Sequence, residues 1–363
     1  MLPLWIRGGR PVNIPFGNHA LPVPLVPLLL LCVGLGYIFA SWTGSGHAQR
    51  PAGLTTSPFL IPSSKFLPPP PPPARPDYIP APVAPKRSGM VVPNAVHYVY
   101  GLKPVPPGGQ PEELPYYAYL AIRSALINLK PEKMFFHYEH LPTGPWWELL
   151  EPKLTLVKTI VPDSYLGRPL RHFAHKADVL RLLAMKHSGG IYLDIDMFVV
   201  KPFDDLLSYP TTLGMQASPH SEATDLEPQG LCNAVIISQP HSSFIDRWLA
   251  AYETFDDSSW DHHSVEVSWE LARRYPTELQ VLSNRAFFWP MWHGNEIEKT
   301  HERDDYNFKA TGQYAYHAWE SLAMKYLKDL SPKSIRDNDN SFNRLVRPFI
   351  GPEDDAVYAS WRG

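Results

Sequence analysis

The stretch Gly189-Gly190-Ile191-Tyr192-Leu193-Asp194-Ile195-Asp196 decides how this chain is read. A short apolar run leaves a glycine pair and ends on two carboxylates two residues apart. Side chains alternate along a strand, so both carboxylates are expected on one side of its end. Two hard oxygen donors so placed suit Mn²⁺ or Mg²⁺, which complete their shells with water and phosphate oxygens. Upstream, Arg171 to Ser188 has the pattern of a helix, with Gly189 where a left-handed cap would close it. Asp178 and Arg181 stand three apart on that helix and share a face. An acid beside a rigid guanidinium fork can hydrogen-bond sugar hydroxyls in fixed geometry. D-x-D alone is a weak signal, because two aspartates also end many ordinary surface strands.

Working outward, Ala95 to Tyr100 reads as a strand closed by Gly101, as do Lys133 to Glu139 and Leu154 to Val161, while Tyr116 to Asn128 reads as a helix. Strands and helices alternating in this way predict an α/β fold, a mostly parallel sheet flanked by helices on both faces. Ligands of such sheets bind beyond the carboxyl ends of the strands, where Asp194 stands.

Residues 1–20 read as a cytosolic tail and 21–42 as a transmembrane signal-anchor, with no charge between Leu21 and Trp42. Three prolines leave Leu28 to Ala40 as the uninterrupted apolar part, which also suits a cleaved signal peptide. Arg7 and Arg10 precede the segment, which predicts a single-pass type II orientation with the remainder luminal. Residues 43–92, with the run from Pro68 to Pro73, read as an extended proline-rich stem. A domain is expected over 93–330, followed by an extension of unassigned role over 331–363. The net charge of −3 gives no electrostatic grip on nucleic acid. Only Cys32 and Cys232 occur, so the core rather than a disulfide framework holds the fold.

The blocks Ala177-Asp178-Val179-Leu180-Arg181, His187 to Asp196 and Val200-Lys201-Pro202-Phe203-Asp204-Asp205-Leu206-Leu207 resemble the sugar-binding region with DXD motif of glycosyltransferase family 32. Relatives in that family include fungal Golgi mannosyltransferases and α-1,4-galactosyltransferases. The resemblance implies a GT-A-type, Rossmann-like fold and transfer, with retention of configuration, of a hexose from a nucleotide sugar to a glycan or glycolipid acceptor. Mannose from GDP-mannose is the preferred donor, with a UDP-hexose as the alternative, and the Golgi membrane is the expected location. Carried over by position, Asp178 and Arg181 would bind the donor sugar, Asp194 the ribose and the metal shell, and Asp196 the metal. The first strand, with His97, Tyr98 and Val99, would cradle the base, and Asn233 would line the sugar pocket. Tyr316-His317-Ala318-Trp319 resembles the family's His-x-Trp element, whose histidine can complete the metal shell. Where many relatives carry Thr-Gly-Pro, this chain reads Ser264 to Glu270, which leaves acceptor recognition open.

Two other readings compete. Aspartate-based phosphatases also place D-x-D at a strand end, but they favour Thr or Val where Phe198 stands. A non-catalytic luminal partner subunit is the third, against which the presence of Asp178, Arg181, Asp194 and Asp196 argues.

Overall fold

Gly189 and Gly190 carry φ angles of +62° and +112°. A Cβ at Gly189 would lie 2.5 Å from the Pro240 ring, and one at Gly190 would lie 2.6 Å from the Ala95 carbonyl. Only glycine fits either position, and the preceding helix is thereby folded straight back onto the following strand. At Gly189 ψ is −173°, so the expected left-handed α cap is replaced by a more extended conformation that is essentially confined to glycine.

The computed structural model describes residues 78, 80–218 and 228–362. In chain order the elements are β1 (Ala95–Tyr100), α1 (Tyr116–Leu129), β2 (Lys133–Tyr138), α2 (Pro145–Leu150), β3 (Thr155–Lys158), β4 (Ser164–Tyr165), β5 (Arg168–Pro169) and α3 (Phe173–Ser188). There follow β6 (Gly190–Leu193), β7 (Met197–Val199), β8 (Thr211–Ala217), β9 (Pro228–Ser238), α4 (Ser243–Ala251), α5 (Val267–Arg274) and β10 (Gln280–Leu282). The last are α6 (Glu296–Glu302), β11 (Ala315–His317), α7 (Glu320–Leu327), α8 (Pro332–Asp337), α9 (Ser341–Val346) and α10 (Asp354–Arg362).

One sheet has the order β10-β8-β9-β6-β1-β2-β3. Parallel pairing joins β1 to β2 and β6, β2 to β3, and β10 to β8, whereas β9 runs antiparallel to both β6 and β8. The sheet is therefore mixed, with one reversed strand beside the D-x-D strand. Alternation sends Ile191 and Leu193 of β6 to one face, with α1 and the C-terminal helices, and Tyr192 to the other, with α3, α4 and α5. Helices cover both faces.

Both ends of the expected domain move outward. Residues 80–92, read as part of a free stem, lie against the domain. Ala81 and Ala84 are buried with Ala95, Phe135 and Val157, the Ser188 hydroxyl donates to the Ala81 carbonyl at 2.6 Å, and Arg87 pairs with Asp204. Proline removes amide donors, but it leaves carbonyls and small apolar side chains free to dock. The extension read at 331–363 is also part of the fold, because Phe342, Leu345 and Val346 share a core with α1. Asp354, fully buried, accepts from the Tyr116 and Tyr119 hydroxyls at 2.8 and 2.7 Å and from the Gly351 amide at 2.9 Å. The expected anchor at 21–42 falls outside the described residues, among which no helix is long and apolar enough to cross a membrane.

Candidate active site

Asp194, Ile195 and Asp196 form a turn between β6 and β7, closed by the Met197 amide donating to the Asp194 carbonyl at 3.0 Å. The carboxylates therefore converge through a turn, not through strand alternation. Asp194 is held from β9 by its own amide, which donates to the Ala234 carbonyl at 2.9 Å. Its Oδ1 accepts from the Tyr192 hydroxyl at 2.7 Å and lies 2.9 Å from Arg181 Nη1.

Arg181 is the hub of a buried network. Its Nη1 also donates to the carbonyl and side-chain oxygens of Asn233 at 3.0 and 3.1 Å, and its Nη2 lies 3.3 Å from Asp178 Oδ1. The Asn233 amide donates to that same Asp178 oxygen at 2.7 Å. The guanidinium also lies over the Tyr192 ring, 4.6 Å from its centroid. Burial pushes the Asp178 carboxyl up, against the pull of Arg181 and Asn233. Burial works against the Arg181 charge, but Asp194, Tyr192 and Asp178 outweigh it and hold the guanidinium firmly protonated. Asn233 reaches this network from a bulge. Thr212 pairs with Ile237 and Gly214 with Cys232, so Asn233 to Ile236 stand opposite Leu213 alone. Bulges re-aim side chains next to active sites.

His317 arrives from the far end of the chain. β11 pairs antiparallel with β7, setting His317 opposite Met197, and its Nε2 lies 3.3 Å from Asp196 Oδ1. Burial disfavours the imidazolium, yet the Asp196 charge and hydrogen bond overcome it and raise the His317 pKa to about 10. Burial likewise works to raise the Asp196 pKa, but His317 and the Glu320 amide more than offset it. That amide, at the start of α7, donates to Asp196 Oδ2 at 2.8 Å. Trp319 makes the turn into α7 in the left-handed region, with φ 55° and ψ 54°, an uncommon conformation for a large side chain. Its indole packs 4.0 Å from the His317 ring.

Donor atoms of Asp194, Asp196 and His317 all lie within 4.8 Å of one another. Two carboxylates and an imidazole form an oxygen-rich set that suits Mn²⁺ and admits Mg²⁺. A cation would replace the proton that His317 shares with Asp196.

The structure thus joins Asp178, Arg181, Asp194, Asp196, Asn233 and His317 around one turn. His97 and Tyr98 are elsewhere in the packing. Both are fully buried, and His97 Nδ1 lies 3.0 Å from His137 Nε2. Val99, nearer the carboxyl end of β1, is partly exposed. Sequence reading missed Glu320 and Tyr117. The Tyr117 hydroxyl donates to Glu320 Oε1 at 2.5 Å, while burial, then the charges of Asp196 and Asp194, raise the Glu320 pKa. The only clue was Glu320's place after the His-x-Trp element.

A family model described as glycosyltransferase sugar-binding region containing DXD motif matches residues 151–213. Over its whole length the chain is 66% identical to glucan organizing enzyme 1 of Cryptococcus neoformans var. grubii, and the alignment covers 99% of that protein. Solved glycosyltransferases overlie it loosely. PaToxG glycosyltransferase gives a TM-score of 0.36 at 16% identity, over 72% of this chain and 88% of that one. Mouse xyloside xylosyltransferase 1 gives 0.40 at 13% identity, over 62% and 96%. Such overlays carry no residue correspondence. The full-length relative and the matched region together establish that the chain belongs to the glycosyltransferases whose sugar-binding region contains a DXD motif.

Proposed function

We propose that the protein is a retaining hexosyltransferase that uses a nucleotide-sugar donor and a divalent cation, Mn²⁺ or Mg²⁺. The observation that carries this reading is the convergence of Asp194, Asp196 and His317 next to the buried Asp178–Arg181–Asn233 network. When bound, the cation supplies Lewis-acid stabilisation to the departing diphosphate. Asp178 takes a sugar hydroxyl, while Arg181 and Asn233 fix the carboxylates that surround the donor. Positioning of this kind contributes by pre-organising charge before the reaction begins. The acceptor hydroxyl attacks the face from which the diphosphate leaves, which retains the anomeric configuration. The base rests near the partly exposed end of β1, at Val99, with His97 and Tyr98 supporting that strand from within.

Mannose from GDP-mannose remains the preferred donor by family resemblance, with a glycan or glycolipid as acceptor. The name of the Cryptococcus relative points towards glucan, which sets UDP-glucose beside GDP-mannose and a glucan-type glycan among the acceptors. The proposed setting is the Golgi membrane, reached through an N-terminal anchor at 21–42. Membership of a glycosyltransferase family displaces the phosphatase alternative. The test is Mn²⁺-dependent hydrolysis of a panel of GDP-mannose, UDP-glucose and UDP-galactose by the full-length chain. No hydrolysis and no Mn²⁺-dependent nucleotide-sugar binding across the panel would support the non-catalytic partner reading instead.

A further inference from the structure

Trp260 is 65% exposed, the highest fraction among the large apolar side chains described. A single exposed apolar residue is ordinary, but this one is held in place. His172 meets its ring edge-on at 5.8 Å, and the His175 ring lies 5.5 Å away. His175 Nε2 lies 3.2 Å from the Trp260 carbonyl, and its Nδ1 lies 2.9 Å from Asp257. His175 is buried and precedes Asp178 by three residues, about 4.5 Å along the axis of α3. Because α3 folds back onto β6 through the glycine turn, its first turn stands at the end of the sheet that holds Asp194 and Asp196. Trp260, set against His172 and His175, is therefore about one helical turn from Asp178 at that end of α3.

Asp261, next to it in the chain, belongs to a run of planar polar groups. Gln229 donates to Asp261 at 2.6 Å and accepts from Gln216 at 2.9 Å. Gln229 precedes Asn233 by four residues on β9, a separation of up to about 13 Å along the strand. The segment bearing Asp261 is pressed onto β9 at Gly230, where a Cβ would lie 2.1 Å from the Val265 carbonyl. Its turn, His262–Glu266, is π-helical, a conformation frequent at functional sites.

We infer that Trp260, Gln229 and Asp261 form a glycan subsite for the acceptor, with the buried Gln216 orienting Gln229 from within. The indole face stacks on the apolar C–H face of a pyranose, and the Gln229 amide and Asp261 carboxylate bind its hydroxyl rim. A span of this size exceeds one sugar ring, so the subsite holds a sugar some way from the reacting end, and the acceptor is an oligosaccharide or polysaccharide. The inference rests on reading the Asp178–Asp196 cluster as the donor site.

The test is acceptor kinetics with the full-length chain at saturating nucleotide sugar, using glucan and mannan oligosaccharides from disaccharide to hexasaccharide. In Trp260→Ala, KM for the preferred hexasaccharide rises about tenfold, kcat holds, and the disaccharide KM changes little, while Trp260→Phe recovers most of the loss. Equal KM values in wild type and Trp260→Ala across both ladders overturn the subsite, as does a wild type that favours hexasaccharide no more than disaccharide. Acceptor-free hydrolysis of the nucleotide sugar by the wild type judges the donor reading separately. If that hydrolysis is absent, calorimetric binding of the hexasaccharides to wild type and Trp260→Ala decides the subsite, and equal or undetectable affinities overturn it.

Discussion

Arg181 Nη1 on α3 lies 2.9 Å from Asp194 Oδ1 in the turn after β6, so the buried guanidinium ties that helix to the half-buried D-x-D turn. Removing Arg181 also strips the buried Asp178 of its cation, and an uncompensated buried charge costs about 3–5 kcal/mol. Arg181→Ala is expected to lose that much in urea denaturation and to lose donor binding as well. Arg181→Lys keeps the charge without the fork, so it lies between Arg181→Ala and wild type in both measurements.

Asp196→Asn keeps the side-chain shape and removes the charge opposite His317. Mn²⁺ binding, followed by paramagnetic resonance or calorimetry, is expected to fall below detection, and transfer to fall at least about a hundredfold. The circular dichroism spectrum should remain that of wild type. Full activity in this variant would sink the metal assignment.

Asp354 lies far from the donor cluster in sequence and anchors the C-terminal helices. Its replacement by Ala strips the acceptor from two buried tyrosine hydroxyls and one amide, each worth about 1–3 kcal/mol when left unsatisfied. A lowered Tm with kcat per folded molecule retained is the expected result. A chain ending at residue 330 should fail to give soluble folded protein, judged by gel filtration.

Acid should unfold the protein through its buried histidines. Burial lowers the pKa of His137 to about 4 and of His301 to about 3, and burial with the His137 charge takes His97 well below its usual value. Below a pH of about 6.5 the unfolded chain takes up protons that these folded-state imidazoles refuse. Stability therefore falls as pH drops from about 6.5 towards 4. His301→Phe, which keeps an aromatic ring between Tyr326 and Phe342, should flatten that fall in denaturation midpoints at pH 7 and pH 5. An unchanged slope would count against the assignment.

Local signals in the chain were enough for β1, whose bounds match the sequence reading, and for α1, β2 and α3 to within a residue or two. Short apolar runs ended by glycine leave few alternatives. Asp178 and Arg181 were legible as a pair because helical spacing alone puts them on one face. The direction of β9 was not legible, since periodicity tells which side chains share a face and nothing about which way a strand runs. The bulge that aims Asn233 is a property of pairing with β8 and is likewise invisible in one strand. Glu320 and Tyr117 meet across more than two hundred residues, and Asp354 meets Tyr116 across a similar gap. No local pattern encodes either meeting.

The pairing of β11 with β7 also bears on how the enzyme is made. Asp194 and Asp196 leave the ribosome long before His317, and β7 must wait for its partner strand. A stalled or prematurely ended chain therefore carries the two aspartates without His317 and without the α7 amide that fixes one of them. On the proposed metal reading, catalytic competence waits until β11 and α7 have been made.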